Sequence, residues 1–137
     1  MMRVVLDTNV ILQARASGHP YHLILREWML GRFSWVVSTE ILFEYQEVIT
    51  ERTGAARWTI LERLLTLSPH VVRTTPEFHF GLIVDDPDDN KFADCAIAAN
   101  ADFIVTSDHH FDAMLGSGYK PQPITPEQFI ERYLTPP

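Results

Sequence analysis

A chain of 137 residues can form one compact domain with a sizeable core and is too short for two. Apolar residues at 46% and charged residues at 21% make an ordinary globular composition, which excludes the disordered and fibrous classes. A net charge of −7 speaks against a generic nucleic-acid binder, whose affinity comes mainly from Lys and Arg neutralising phosphates. That objection has an answer only if several carboxylates converge on cations, because the net charge then overstates the negative field a phosphate feels. The longest unbroken apolar run, Cys95-Ala96-Ile97-Ala98-Ala99, is far short of the ~20 residues of a membrane span. The N-terminus lacks the apolar stretch of a signal peptide. One cysteine, Cys95, excludes an internal disulfide and a multi-cysteine zinc site. A cytoplasmic protein with no membrane partner is expected.

In chain order, Arg3–Leu6 reads as a first strand, and Asp7 or Thr8 can cap a short helix through Val10–Ala14. Gly18-His19-Pro20 breaks the chain before a helix over Tyr21–Leu30, which Gly31 ends. Phe33–Val37 is a second strand. A helix follows to about Thr50, with Ile41, Leu42, Tyr45, Val48 and Ile49 on one face. A helix over Ala55–Leu67 stops at Ser68-Pro69, and Val71-Val72 is a weak third strand. Asp85-Asp86-Pro87-Asp88-Asp89 reads as a loop running into a helix over Asn90–Ala99, with Asn100 at its exit. Asp102–Thr106 is a strand, Phe111–Leu115 a short segment and Pro123-Ile124 a last strand. Thr125-Pro126-Glu127-Gln128 looks like a capping box opening a helix to Leu134. Short strands alternating with helices predict an α/β fold: a three-layer α/β/α sandwich with a mainly parallel sheet of about five strands.

Two of these strands deliver an acid at the carboxyl end, Asp7 after Val4-Val5-Leu6 and Asp108 after Phe103-Ile104-Val105-Thr106-Ser107. Open parallel sheets build ligand sites there, so these distant acids can meet. The plainer alternative is that each only caps the helix that follows. Asp94 lies in a helix that is apolar all round, where an ionised carboxylate costs several kcal/mol unless a cation or donors compensate. Its plainer role is to favour the helix dipole, an effect that fades by the second turn. Glu44 flanks the apolar face of its helix and could reach inward, or could remain a solvated glutamate. Three or four carboxylates without convergent histidine or cysteine suit Mg²⁺ or Mn²⁺ rather than zinc. Such a site can activate water and clamp a phosphodiester.

Leu6-Asp7-Thr8-Asn9-Val10, then Glu44 within Ser38–Tyr45, then the run from Asp85 to Asp108, and finally Ile124–Phe129 together resemble a PIN domain over nearly the whole chain. The similarity is greatest to toxin components of prokaryotic type II toxin–antitoxin pairs. The resemblance implies one PIN-like nuclease domain over residues 1–137, with a sheet of order 3-2-1-4-5. It also implies Mg²⁺- or Mn²⁺-dependent endoribonuclease activity, an RNA substrate, a cognate antitoxin and a homo-oligomeric (dimeric) state. Asp7, Glu44, Asp94 and Asp108 would be the catalytic, metal-binding acids, with Asp112 a rival to Asp108. Asn9 would brace Asp7 by hydrogen bonds, and Thr106 or Ser107 would do so near Asp108. Asp89 would be a helix cap or an outer or second-metal residue.

Elsewhere, His109-His110 reads as a solvent-facing loop pair, although it adjoins the acids. Arg15, Lys91 and Lys120 are surface cations that could contact phosphate, Cys95 is a small core residue, and Trp28, Trp35 and Trp58 hold core-like positions. One rival reading is another acidic α/β phosphoryl-transfer protein. A haloacid-dehalogenase-type phosphatase needs an acid where Asn9 stands, and a receiver needs a lysine after the last core strand. A PIN-like module that only binds RNA or protein is the other.

Overall fold

The computed structural model describes residues 1–135. Five strands form one sheet: β1 (Arg3–Leu6), β2 (Ser34–Val37), β3 (Val71–Arg73), β4 (Phe103–Val105) and β5 (Gln122–Ile124). Their order is β3-β2-β1-β4-β5, and every neighbouring pair is parallel. A receiver's sheet runs 2-1-3-4-5, so that rival is excluded by topology. Val4, Val5 and Leu6 are all fully buried although successive strand residues point to opposite faces, so helices cover both sides of the sheet.

The helices are α1 (Thr8–Ala14), α2 (His22–Met29), α3 (Thr39–Thr53), α4 (Ala55–Leu67), α5 (Asn90–Ala98) and α6 (Pro126–Phe129), the last continuing as a π-turn over Ile130–Leu134. Most bounds fall within a residue or two of the expected ones. The third helix runs to Thr53, past Thr50, because Gly54 at φ 97° is the first residue able to turn the chain. The acidic loop contains a 3₁₀ turn at Pro87–Asp89, and a longer 3₁₀ turn spans His109–Met114. Asn100 leaves α5 at φ 52°, a conformation asparagine tolerates better than most residues. Trp28, Trp35 and Trp58 are buried, as their core-like placing predicts, and burial pushes the Cys95 thiol up to about 12.

Order 3-2-1-4-5 makes the gap between β1 and β4 the place where chain connections diverge to opposite sides. There Leu6 stands opposite Val105, and the Asp7 N–H donates to the Val105 carbonyl (3.0 Å), so the residues leaving the two strands start side by side. Tyr45 fastens α3 to the same spot. Its buried hydroxyl donates to the Leu6 carbonyl and accepts from Trp35 Nε1 (3.3 Å).

Tyr45→Phe leaves both groups without that partner and is expected to cost about 1–3 kcal/mol in chemical denaturation. An unchanged unfolding midpoint would show that this hydroxyl anchors nothing.

Candidate metal centre

Asp7 is the N-cap residue of α1, yet its side chain makes no capping hydrogen bond. It is 7% exposed, and its Oδ2 instead accepts from the Thr106 hydroxyl (2.7 Å). Thr106 Oγ1 in turn accepts from the Asp108 N–H (3.0 Å). One threonine at the end of β4 therefore ties together the residues that follow two strands. Asp108 does cap, with Oδ1 accepting from the His110 N–H (2.9 Å), which leaves its other oxygen without a capping task.

Glu44 points inward from α3: Oε2 accepts from the Thr8 hydroxyl, and Oε1 takes Lys91 Nζ at 3.0 Å. Lys91 also meets Asp88 (3.2 Å), so this lysine neutralises acids and is no free phosphate contact. Asp89 stands at the N-cap of α5, again without a side-chain cap. One ligand atom from each of Asp86, Asp89, Asp108 and His110 lies within 4.8 Å of the others. The structure thus brings together Asp7, Glu44, Asp89 and Asp108, with Asp86 and His110 beside them.

Asp94 lies apart from this group. It is 3% exposed, as its apolar surroundings predict, but it turns to the segment at residues 74–86, where Oδ1 accepts from the Phe80 N–H (3.1 Å) and Oδ2 meets His79 Nδ1 (3.3 Å). Asn90, one turn earlier on α5, bonds the same segment at Ile83. The Phe80 N–H and His79 face Asp94, while at the start of α5 Asp89 lies among the other acids. Asn9 is exposed, and among the described residues it makes no side-chain hydrogen bond to Asp7, the bracing being done by Thr106. Ser107 is exposed on the cleft wall. Asp112 is turned out to His109 (3.5 Å), which leaves Asp108 as the last acid of the cluster. Both histidines are exposed, but they point differently: His109 meets Asp112, whereas His110 Nδ1 is 3.3 Å from Asp108 and 3.6 Å from Asp86.

A cleft of about 410 Å³ opens over Asp7 and Asp108, walled by Asn9, Gln13, Ser107 and Arg52. Sequence reasoning missed Arg52. It sits in the last turn of α3, two turns beyond Glu44, and that spacing on one helix face was the available signal. Lys120 is paired with Asp102 (3.1 Å), on the cleft lined by Met1, Phe103 and Tyr133.

Burial raises the Asp7 carboxyl to about 6; the Thr106 hydrogen bond opposes this, and the charges of Glu44 and Asp108 add to it. Asp89 is pushed to about 8 by burial, by Asp86, by Asp7 and by Asp108. Its Oδ2 is the single buried side-chain oxygen or nitrogen among the described residues that has no hydrogen-bond partner. A buried acceptor of that kind costs about 1–3 kcal/mol. Oxygen donors of like charge around such an atom fit a divalent cation. Asp86, Asp89 and Asp108 are the carboxylates that would hold it, with Asp7 beside them.

A family model described as "PIN domain" matches residues 3–110. Among curated proteins nothing matches the chain. Among solved structures, "VapBC2 from Rickettsia felis bound to a DNA fragment from their promoter" is similar, with a TM-score of 0.63 and 17% identity over 90% of this chain and 98% of that one. Likeness at that identity shows the shared fold.

Raised carboxyl pKa values link stability to pH. Below the unfolded value of 3.8 both states hold the protons of Asp7 and Asp89; as pH rises through about 6 and then about 8, the folded state must give up protons it binds more tightly, and stability falls. In EDTA the melting temperature should therefore drop between pH 5 and pH 9, and added Mg²⁺ or Mn²⁺ should raise it more at pH 8.5 than at pH 5. A metal response independent of pH would mean that these acids do not hold the ion.

Proposed function

The chain belongs to the PIN-domain family, and on that premise we propose that it is a divalent-metal-dependent endoribonuclease, the toxin of a toxin–antitoxin pair. The observation that carries the nuclease reading is the buried, unpartnered Asp89 oxygen beside the Asp7, Asp86 and Asp108 carboxyls. A structural cluster would supply donors at that point, as it does at Asp94. A bound divalent ion supplies Lewis-acid chemistry, acidifying water and offsetting charge on phosphoryl oxygens.

The chain's own groups do the positioning. Thr106 holds Asp7, the Thr8 hydroxyl and Lys91 hold Glu44, and Asp108 is held through its own N–H. Arg52, which has no ion-pair partner among the described residues, offers the cleft a cation for a backbone phosphate. The reaction is direct hydrolysis: a water oxygen bonds to phosphorus as the bond to the 3′-oxygen breaks, which leaves 5′-phosphate and 3′-hydroxyl ends. RNA as substrate, Mg²⁺ or Mn²⁺ as the ion and action in the cytoplasm follow the family likeness.

For the antitoxin, the similar VapBC2 structure supplies the precedent. The support on this chain is an apolar groove lined by Leu25, Trp28, Ile49 and Leu61 with Arg15 and Arg57, a lining that includes none of the clustered acids.

Purified protein should cleave RNA to 5′-phosphate products, and EDTA should stop it. Cyclic 2′,3′-phosphate products formed in EDTA would rule the mechanism out. Asp7→Asn and Asp89→Asn should each lower kcat/KM by more than the roughly 10–100-fold lost with an outer partner of a metal ligand. Asp94→Asn should instead cost about 1–3 kcal/mol of stability and leave cleavage in place. Equal loss of activity in all three folded variants would return Asp94 to the site.

Arg52→Ala should raise KM several-fold and flatten the salt dependence of binding by about one phosphate contact, with kcat little changed. An unaltered salt slope would remove Arg52 from the substrate path.

A further inference from the structure

We propose that His110 is a metal ligand, and that through it the centre binds Mn²⁺ more tightly than Mg²⁺. The inference rests on the nuclease reading only in concerning the same site. Its ring Nδ1 lies 3.3 Å from Asp108 Oδ1, 3.6 Å from Asp86 Oδ2 and 3.9 Å from the unpartnered Asp89 Oδ2. Among the described residues that nitrogen makes no hydrogen bond, although three acids surround it. An octahedral ion with bonds of about 2.1 Å puts adjacent ligands about 3.0 Å apart and opposite ones about 4.2 Å apart. The three spacings from Nδ1 fall between the two, and one ligand atom from each of the four residues lies within 4.8 Å of the others, close to what one shared ion requires. The backbone that carries the ring is held in place: the His110 N–H is fixed on Asp108 Oδ1 at the start of the 3₁₀ turn, and Phe111 beside it is fully buried.

The donor set decides the ion. Mg²⁺ is hard, takes oxygen ligands and keeps several of its waters, so it gains little from an imidazole. Transition ions accept nitrogen readily, and carboxylates suit Mn²⁺ as well. Three carboxylates and one imidazole therefore favour Mn²⁺. The competing role for His110 is as an imidazolium paired with the acids. In that role it would repel a cation, and its removal would leave metal affinity unchanged or increase it.

The test is calorimetric titration of the purified protein with MnCl₂ and, separately, MgCl₂, for the wild type, His110→Ala and the solvent-facing control His109→Ala. Pulsed electron paramagnetic resonance of the Mn²⁺-loaded samples accompanies it. The wild type and His109→Ala should show coupling of Mn²⁺ to a directly bound ¹⁴N and a dissociation constant lower for Mn²⁺ than for Mg²⁺. His110→Ala should lose the coupling and weaken Mn²⁺ by at least the roughly tenfold that an outer partner is worth, with Mg²⁺ changed less. Mn²⁺ bound without nitrogen coupling, or bound equally well by His110→Ala, overturns the inference and leaves the ribonuclease reading standing. Failure of the wild type to bind either ion overturns both.

Discussion

Repulsion among carboxylates packed at the carboxyl edge of β1 and β4 is the constraint around which the rest of the site is built. Burial disfavours ionisation of Asp7 and Asp89, and nearby charges add to it: Glu44 and Asp108 on Asp7, and Asp86, Asp7 and Asp108 on Asp89. The fold meets part of the cost with donors: Thr106 on Asp7, the His110 N–H on Asp108, and Thr8 with Lys91 on Glu44. It leaves one buried oxygen of Asp89 unmet. At neutral pH that oxygen must hold a proton or face a cation. On the proposed reading, ions held among the acids would reverse the local field and let a chain of net charge −7 address a phosphodiester.

Each piece of the architecture serves that edge. Parallel pairing in register sets Asp7 and Thr106 side by side, which antiparallel strands of this length would not do. The buried hydroxyl of Tyr45 binds α3 to the end of β1, and Glu44, its neighbour in sequence, is carried toward Asp7 with it. The 3₁₀ turn at Pro87–Asp89 lifts the chain into α5 so that Asp89 faces Asp108 while Asn90 and Asp94 face the other way, toward residues 74–86.

Strand runs and strand-end acids were legible in the sequence because both depend on local pattern: an apolar run ends where an acid begins, and parallel sheets open their sites there. The sheet order came from family resemblance, not from the pattern. The direction in which Asp94 turns was not legible for a definite reason. Its burial was correctly expected, but what compensates a buried carboxylate depends on the partner, and here the partner is an irregular segment around Phe80 that carries no periodic signal. Asp89 was undervalued because an acid at a helix start is ordinarily a cap, and only coordinates show that its side chain caps nothing. His110 and His109 are indistinguishable by adjacency; a 3₁₀ turn sends one to the acids and the other to Asp112. Lys91 seemed free for phosphate until its two carboxylate partners came into view.

Anomalous diffraction from crystals soaked in manganese bears most directly on the central claim. An ion coordinated by Asp89 and Asp108, with Asp7 near enough to share it directly or through water, is the result this account predicts. A carboxylate cluster that stays empty at saturating manganese while the protein diffracts well and remains folded would contradict it.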